Sequence, residues 1–388
     1  MWIRRKIEEE LIYLAKHYPV IMITGPLQSG KTSLVRHIFP EKPYFSFENP
    51  DVREKVISDP RAFFSANSEG AIIDEFQRYP DILSYMQGIV DDKKQNGQFI
   101  ITGSTNISML SSVTQSLAGR VALLKLLPFT ISEISDFDKD FSVDDFLYKG
   151  FYPRIYAEKL DSTKAYRNYY ETYVERDIRR LLNVKDVSSF QKFIKLCAGR
   201  IGQLFNANSL ANEIGVSHQT IQAWLSAMQA TYIVFLVQPW SVNTNKRLVK
   251  TPKLYFYDVG LASYLLGIEN TIHVSTHPLR GSLFENMIVL EFLKKRYNAG
   301  LDNNLYFYRD NHGNEVDLLQ EAGFFVNLIE IKSAQTFHSD FLKGLEYFKK
   351  ILSNRVGSSN LVYAGESEMI IKDIKFLTIK IYNTILQT

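Results

Sequence analysis

The stretch Val20-Ile21-Met22-Ile23-Thr24 runs directly into Gly25-Pro26-Leu27-Gln28-Ser29-Gly30-Lys31-Thr32, an uninterrupted G-x-x-x-x-G-K-[ST] string. An apolar run followed by this pattern predicts a buried strand, a glycine loop and then a helix opening at Ser33-Leu34-Val35-Arg36-His37-Ile38. The glycines let successive backbone N–H groups curl around phosphate oxygens at a helix N-terminus. Residues Gly25 to Ser33 are therefore the expected nucleotide-binding segment, with Lys31 reaching the β and γ phosphates and the Thr32 hydroxyl on magnesium.

Four further β-like runs follow, at Tyr44 to Phe47, Ala71 to Ile73, Gln98 to Thr102 and Arg120 to Leu127. Helical patterns separate most of them, which predicts a parallel sheet covered on both faces, with ligands at the carboxyl ends of its strands. Ala71-Ile72-Ile73 ends in Asp74-Glu75. Asp74 is the expected magnesium ligand and Glu75 the base that polarises the attacking water, a pairing that favours hydrolysis over simple binding. The run Phe99-Ile100-Ile101-Thr102-Gly103 ends near Ser104 and Asn106. Spacing allows either of these to sense the γ-phosphate, and a plain helix N-cap explains either as well. Arg120 is the candidate cation for the transition state, from its own chain or from a neighbouring subunit.

The order of Gly25 to Thr32, Asp74-Glu75, Thr102-Gly103-Ser104 and Leu117-Ala118-Gly119-Arg120 resembles the AAA-type (AAA+) P-loop ATPases of bacteria and archaea. It is similar to the subgroup whose C-terminal half is a domain of unknown function, and Tyr169 to Ile178, Tyr255 to Leu261 and Gly281 to Glu291 also resemble that subgroup. The resemblance implies ATP and Mg2+ as cofactors and an ATPase of undefined client.

A chain of 388 residues, 45% hydrophobic, is long enough for two or three domains. Apolar stretches such as Thr231 to Val237 are far shorter than the ~20 residues a membrane helix needs, so no membrane partner is expected. The N-terminal segment turns acidic at Glu8-Glu9-Glu10, where an export signal would be apolar, and Cys197 is the single cysteine. Both point to a cytoplasmic protein, with Cys197 a buried, inert thiol. The net charge of +3 neither demands nor excludes nucleic acid.

Turn residues and a proline at Leu147 to Pro153 mark the first domain boundary. Beyond it, Tyr166, Tyr169, Tyr170, Tyr173 and Ile178 have near-helical spacing and read as a packed core. Ser209 to Leu225 reads as helix, glycine turn, helix, capped by Ser209 and Ser217, with Ile221, Trp224, Leu225 and Met228 inward and His218, Gln219, Gln222 and Ser226 outward. Thr231 to Val237 adds a wing strand, which resembles a winged helix. The second helix lacks Lys and Arg, so DNA contact depends on Gln219, Gln222 and the downstream Lys246, Arg247 and Lys250.

In the C-terminal third, Glu285 lies in a helical pattern, Asp317 in the strand Glu315 to Leu319, and Glu330 and Lys332 share one face of the strand Val326 to Lys332. Helix-acid, strand-Asp, strand-Glu-x-Lys resembles the PD-(D/E)xK nucleases, in which Asp317, Glu330 and Glu285 would hold magnesium and Lys332 would act on water. His273 and His277 sit at i, i+4, but Val274-Ser275-Thr276 and Pro278 argue against a helix there and against zinc. His312 is expected in a hairpin turn.

The expected architecture is α/β: a P-loop ATPase domain over 1–152, a helical and winged-helix domain over 153–250, and a restriction-endonuclease-like α/β domain over 251–388. The expected function is a Mg-dependent ATPase whose nucleotide cycle controls the rest of the chain, with a homo-oligomer and DNA as candidate partners. Two alternatives stay open: an ATP-regulated DNA-processing nuclease, and a nucleotide-dependent interaction switch with a silent nuclease-like domain.

Overall fold

Strand β1 (Val20–Thr24) is buried along its whole length and lies inside a five-stranded parallel sheet. The computed structural model describes residues 2–104, 117–138, 140–175, 186–240 and 250–379. The other strands are β2 (Tyr44–Ser46), β3 (Ala71–Asp74), β4 (Phe99–Gly103) and β5 (Val121–Lys125), in spatial order β2-β3-β4-β1-β5. Alternate residues serve opposite faces, as the two-residue strand period requires. Val20, Met22, Ile73 and Ile101 pack with Phe64, Met86 and Val90 on one side. Ile21, Ile23, Ile72 and Ile100 pack with Leu11, Leu34 and Val35 on the other. Because β1 lies between β4 and β5, the chain reverses its winding there, and the crevice at the carboxyl end of β1 is the expected ligand position.

The middle of the chain is mostly helical. Tyr166, Tyr169, Tyr170 and Tyr173 are buried in the large core, while Ile178 lies outside the described residues. Helices Val187–Ala198, Ala207–Ile214 and His218–Ala230 pack around Trp224, whose ring meets Phe190 at 5.4 Å and Phe193 at 5.5 Å. The inward set Ile221, Trp224, Leu225 and Met228 is buried, and His218, Gln219, Gln222 and Ser226 are exposed. Ser217 caps the second helix of the pair. The cap of the first is Asn206 and not Ser209, whose N–H is the group that Asn206 accepts from. The helix therefore opens one turn earlier than the Ser209 signal indicates.

The antiparallel hairpin of β6 (Val234–Pro239) and β7 (Lys253–Phe256) follows. It spans the boundary expected at 250, so the second and third parts share a strand pair. β6 also pairs with β8 (Leu305–Arg309) through Gln238 and Pro239, which extends the C-terminal sheet into the middle of the chain. That sheet continues through the antiparallel strands β9 (Glu315–Ala322) and β10 (Phe325–Lys332). The helix Lys343–Leu352 then returns the chain to β11 (Val356–Tyr363), parallel to β10, with β12 (Ile370–Ile371) and β13 (Ile374–Thr378) at the edge. His312 lies between β8 and β9, in a turn where Gly313 has a φ of +84°.

Helix Arg280–Asn298 packs against both β5 of the first sheet and β10 of the second. From Leu283 to Lys294 every residue but Glu285 is buried, so the helix's polar groups in that stretch need partners. Its three buried polar residues are satisfied by other elements. Asn286 accepts from Phe256 N–H at 2.6 Å and donates to Phe256 C=O at 3.0 Å. Glu291 accepts from Ile131 N–H at 2.9 Å and pairs with Lys294, which donates to Phe129 C=O at 2.6 Å.

The segment of His273 and His277 forms the short helix Thr271–Thr276, against the β-branched expectation, because Asn270 caps it and Val274 is buried. Both histidines accept local backbone N–H bonds through Nδ1. Among the described residues no helix is long and apolar enough to cross a membrane.

Cys197 is 1% exposed, and burial pushes its thiol well above the ordinary cysteine range. The thiolate is the reactive form, so a soluble disulfide reagent at pH 8 is expected to label the folded protein negligibly and to label one thiol in denaturant. Full labelling of the native protein would contradict this packing.

Candidate functional site

The loop after β1 has the backbone that its glycines predict. Gly25 has a φ of +149°, and a Cβ there would stand 2.0 Å from the Leu126 carbonyl oxygen. Gly30 has a φ of +93° and precedes helix Lys31–Ile38, which has no side-chain cap and no acid in its first turn. Its leading N–H groups are left for an anion. The Ser29 hydroxyl, buried in the same loop, has no protein partner.

Lys31 folds back to donate to the Gly25 carbonyl at 2.9 Å and the Pro26 carbonyl at 2.8 Å. Burial lowers its pKa to about 8, against the opposing pull of Glu75 and Asp74. Asp74, at the carboxyl end of β3, collects three hydroxyl donors. Thr32 reaches its Oδ2 at 2.9 Å, Tyr44 reaches the same oxygen at 2.7 Å, and Thr102 bonds Oδ1. Burial and the Asp74 bond raise the Tyr44 phenol well above its ordinary range, so it stays a donor.

Glu75 follows with a φ of +56°, in the left-handed region that non-glycine residues rarely adopt. Burial raises its pKa, partly offset by Lys31. The Gln77 amide bonds the Glu75 carboxylate and also the Ser104 hydroxyl at 3.0 Å, linking the two positions. Gly103 leaves room for this link, since a Cβ there would stand 2.4 Å from Gln77 Oε1 and displace the amide. Asn106 lies outside the described residues.

Other parts of the chain grip this loop. Arg5, 4% exposed, donates to the Ser29 carbonyl at 2.9 Å and the Leu127 carbonyl at 2.6 Å, and pairs with buried Glu133 at 3.2 Å. Tyr232, just after helix His218–Ala230, lies with its hydroxyl 3.1 Å from that of Thr24. A cavity of about 380 Å3 opens beside Gln28, lined by Tyr152, Arg154, Asp161, Lys164 and Tyr169 among others.

Arg120 does not belong to this cluster. Its carbonyl accepts from Val20 N–H at 3.2 Å, at the amino end of β1, and its guanidinium pairs with Asp91 at 2.5 Å. The length of β1, on the order of 13 Å at 3.3 Å per residue, separates it from the loop. A role at the γ-phosphate of its own chain is excluded by that placement.

Glu285, Asp317, Glu330 and Lys332 do share one cleft, of about 630 Å3, with Lys253, Glu315 and Arg309. Lys332 lies 2.6 Å from Glu330 and 3.1 Å from Asp317. Lys253, from β7, lies 3.0 Å from Glu285 and 2.5 Å from Glu315. Burial opposes ionisation of Asp317, but Lys332 and Lys253 outweigh it and hold the carboxyl below its usual range. Burial, then Asp317, pushes Glu330 well above that range. Among the described residues no three His, Cys, Asp or Glu side chains are grouped to hold a metal ion.

A family model described as an AAA domain matches residues 17–135. Uncharacterized protein Rv2008c of Mycobacterium tuberculosis is 32% identical over 323 residues, covering 82% of this chain and 71% of that protein. The chain belongs to the same family. Uncharacterized protein Mb2031c of Mycobacterium bovis matches to the same extent. With that AAA domain, this is an AAA-type P-loop protein of the α/β class. Its remaining parts match two domains of unknown function, DUF8612 over 140–272 and DUF4143 over 280–382. The Walker-type ATPase PABY2304 of Pyrococcus abyssi shows a weaker likeness, at 16% identity and a TM-score of 0.41 over 69% of this chain and 96% of that one.

The lowered Lys31 pKa sets a pH dependence. Without a bound anion Lys31 loses its proton as pH rises through about 8. A phosphate beside it favours the charged form and raises the pKa, so binding takes up a proton and weakens as pH rises above that point. Calorimetric titration of ATP at pH 8.5, in two buffers of different ionisation enthalpy, is expected to show net proton uptake that Lys31→Met abolishes. Equal proton uptake by the variant would remove Lys31 as its source.

Proposed function

We propose that this chain is a magnesium-dependent ATPase whose nucleotide cycle acts on its middle and C-terminal parts. The observation that carries the reading is the 2.9 Å contact between Thr32 and Asp74, with Lys31 and Glu75 close enough to share their field. These residues fit a hydrated magnesium ion: a hydroxyl and a carboxylate face each other beside a loop whose Ser29 hydroxyl lacks a partner. Magnesium, when bound, neutralises charge on the β and γ phosphates.

The remaining roles fall to the chain. The Gly25 to Ser33 backbone cradles the phosphates, and Lys31 leaves the Gly25 and Pro26 carbonyls for the β and γ oxygens. Glu75, whose proton affinity is raised by burial, accepts a proton from the attacking water. Ser104 reports the γ-phosphate to Glu75 through Gln77. The cavity beside Gln28 takes the nucleoside. Arg120 acts only on the nucleotide of a neighbouring copy, so this role requires a homo-oligomer.

Helices 207–214 and 218–230 with the β6–β7 hairpin support a winged-helix reading. We assign it first to coupling, through Tyr232 and Thr24, because the exposed positions His218, Gln219, Gln222 and Ser226 carry no Lys or Arg. The order helix 280–298, β8, β9, β10, helix 343–352, β11 supports a restriction-endonuclease-like reading of the last part. The lysine partners of its acids favour a silent module over a nuclease.

Lys31→Ala is expected to lower ATP turnover at least about 100-fold with the fold intact, measured by phosphate release with circular dichroism as the control. Undiminished turnover would remove the site assignment.

A further inference from the structure

The cleft of Glu285, Asp317 and Glu330 has the acids of a metal-dependent phosphodiesterase, yet its donor set does not fit a divalent ion. Asp317 Oδ2 accepts from Ile331 N–H at 2.8 Å and from Lys332 at 3.1 Å. Glu330 Oε1 accepts from Lys332 at 2.6 Å. Glu285 Oε1 accepts from Lys253 at 3.0 Å and from the Tyr255 hydroxyl at 2.5 Å. Glu330 Oε2 is without a hydrogen-bond partner, and it faces the helix wall, 3.5 Å from where a Cβ on Gly344 would stand. Four carboxylates, with Glu315, thus face the two ammonium groups and the Arg309 guanidinium. A divalent ion would have to displace ammonium groups already within 3.1 Å of its ligands.

Lys253 is outside the helix-acid, strand-acid, strand-Glu-x-Lys pattern. It arrives on β7, from the hairpin that also carries the contact with β8, and its side chain is 4% exposed. Residue 253 also bridges Leu204, and neighbouring Gly202 sits where a Cβ would come within 3.5 Å of the Glu285 carboxylate. The middle of the chain therefore both fills the cleft and forms part of its rim.

We propose that Lys253 is the resident cation of this cleft, an internal ammonium in the place of a divalent ion, which makes the cleft a metal-free latch between the β6–β7 hairpin and the C-terminal sheet. It deepens the silent-module reading above and is independent of ATP hydrolysis. A buried ammonium shared by two carboxylates satisfies charges that would otherwise be left uncompensated, and it does so without the open coordination position that hydrolysis needs.

The test is Mn2+ titration of the nucleotide-free full chain, read by electron paramagnetic resonance, in an Asp74→Asn background so that the nucleotide site does not contribute. The parent is expected to bind no ion in the cleft across the millimolar range. Lys253→Met is expected to gain one site, at least about tenfold tighter than any in the parent, the low end of what a neighbouring group does to metal affinity. Adding Glu285→Gln should remove it again. Parent binding that Asp317→Asn abolishes, or a folded Lys253→Met that gains no site, would overturn the proposal. If Lys253→Met does not fold, the parent titration still decides, together with Lys253→Arg, which keeps the charge and should stay ion-free. Mn2+-dependent cleavage of plasmid DNA by the unmodified protein, lost in Asp317→Asn, would also overturn it. Loss of the ATPase reading would leave these results unchanged, since no nucleotide is present.

Discussion

The carboxylate of Asp74 is the constraint around which the nucleotide site is arranged. It is 5% exposed at the end of a strand, and a buried charge is tolerated only where other groups satisfy it. Thr32, Tyr44 and Thr102 do so from the helix after the loop and from the strands on either side. The same three bonds fix the position of the loop relative to β2, β3 and β4. A site whose polar groups are held in place before ligand arrives loses less on binding, because the ordering cost is already met by the fold.

The loop is tied to distant parts of the chain by similar means. Arg5 joins the Ser29 carbonyl to Glu133, and Glu133 in turn accepts from Thr130 N–H at 2.8 Å. One residue on, Ile131 N–H is held by Glu291 in helix Arg280–Asn298. Two turns earlier in that helix, Glu285 meets Lys253. Buried ion pairs of this kind add little net stability over apolar packing, but losing one partner is costly, so they fix which elements pack together. The result is physical continuity between the nucleotide loop and the second cleft, with Tyr232 and Thr24 as a separate contact from the middle of the chain.

Much of this was readable in the residues. The loop is legible because its glycine positions state a backbone geometry, and Gly25 and Gly30 adopt it. The apolar run Val20–Thr24 and the succession of strands and helices after it are legible as a parallel sheet covered on both faces, and the tyrosine spacing as a packed core. Tyr44, Tyr232 and Lys253 were not legible as site residues, because each meets its partner only through tertiary packing, and the link from Gln77 to Ser104 likewise needs β3 and β4 side by side. Thr24 and Tyr232, for example, are 208 positions apart. The choice between the two subunits for Arg120 was not legible, since it depends on sheet order: Arg120 precedes its parallel strand while the loop follows one, which puts them at opposite ends of the sheet. The Thr271–Thr276 helix shows capping by Asn270 and burial of Val274 overriding a β-branched run.

Asp74→Asn tests the central claim most directly, because it keeps a hydrogen-bond acceptor in the hub and removes its charge. ATP turnover and magnesium-free binding of a fluorescent ATP analogue should be measured on the same preparation. The arrangement predicts that turnover collapses while magnesium-free binding and the folded spectrum persist. Turnover at the level of the unmodified protein would contradict it.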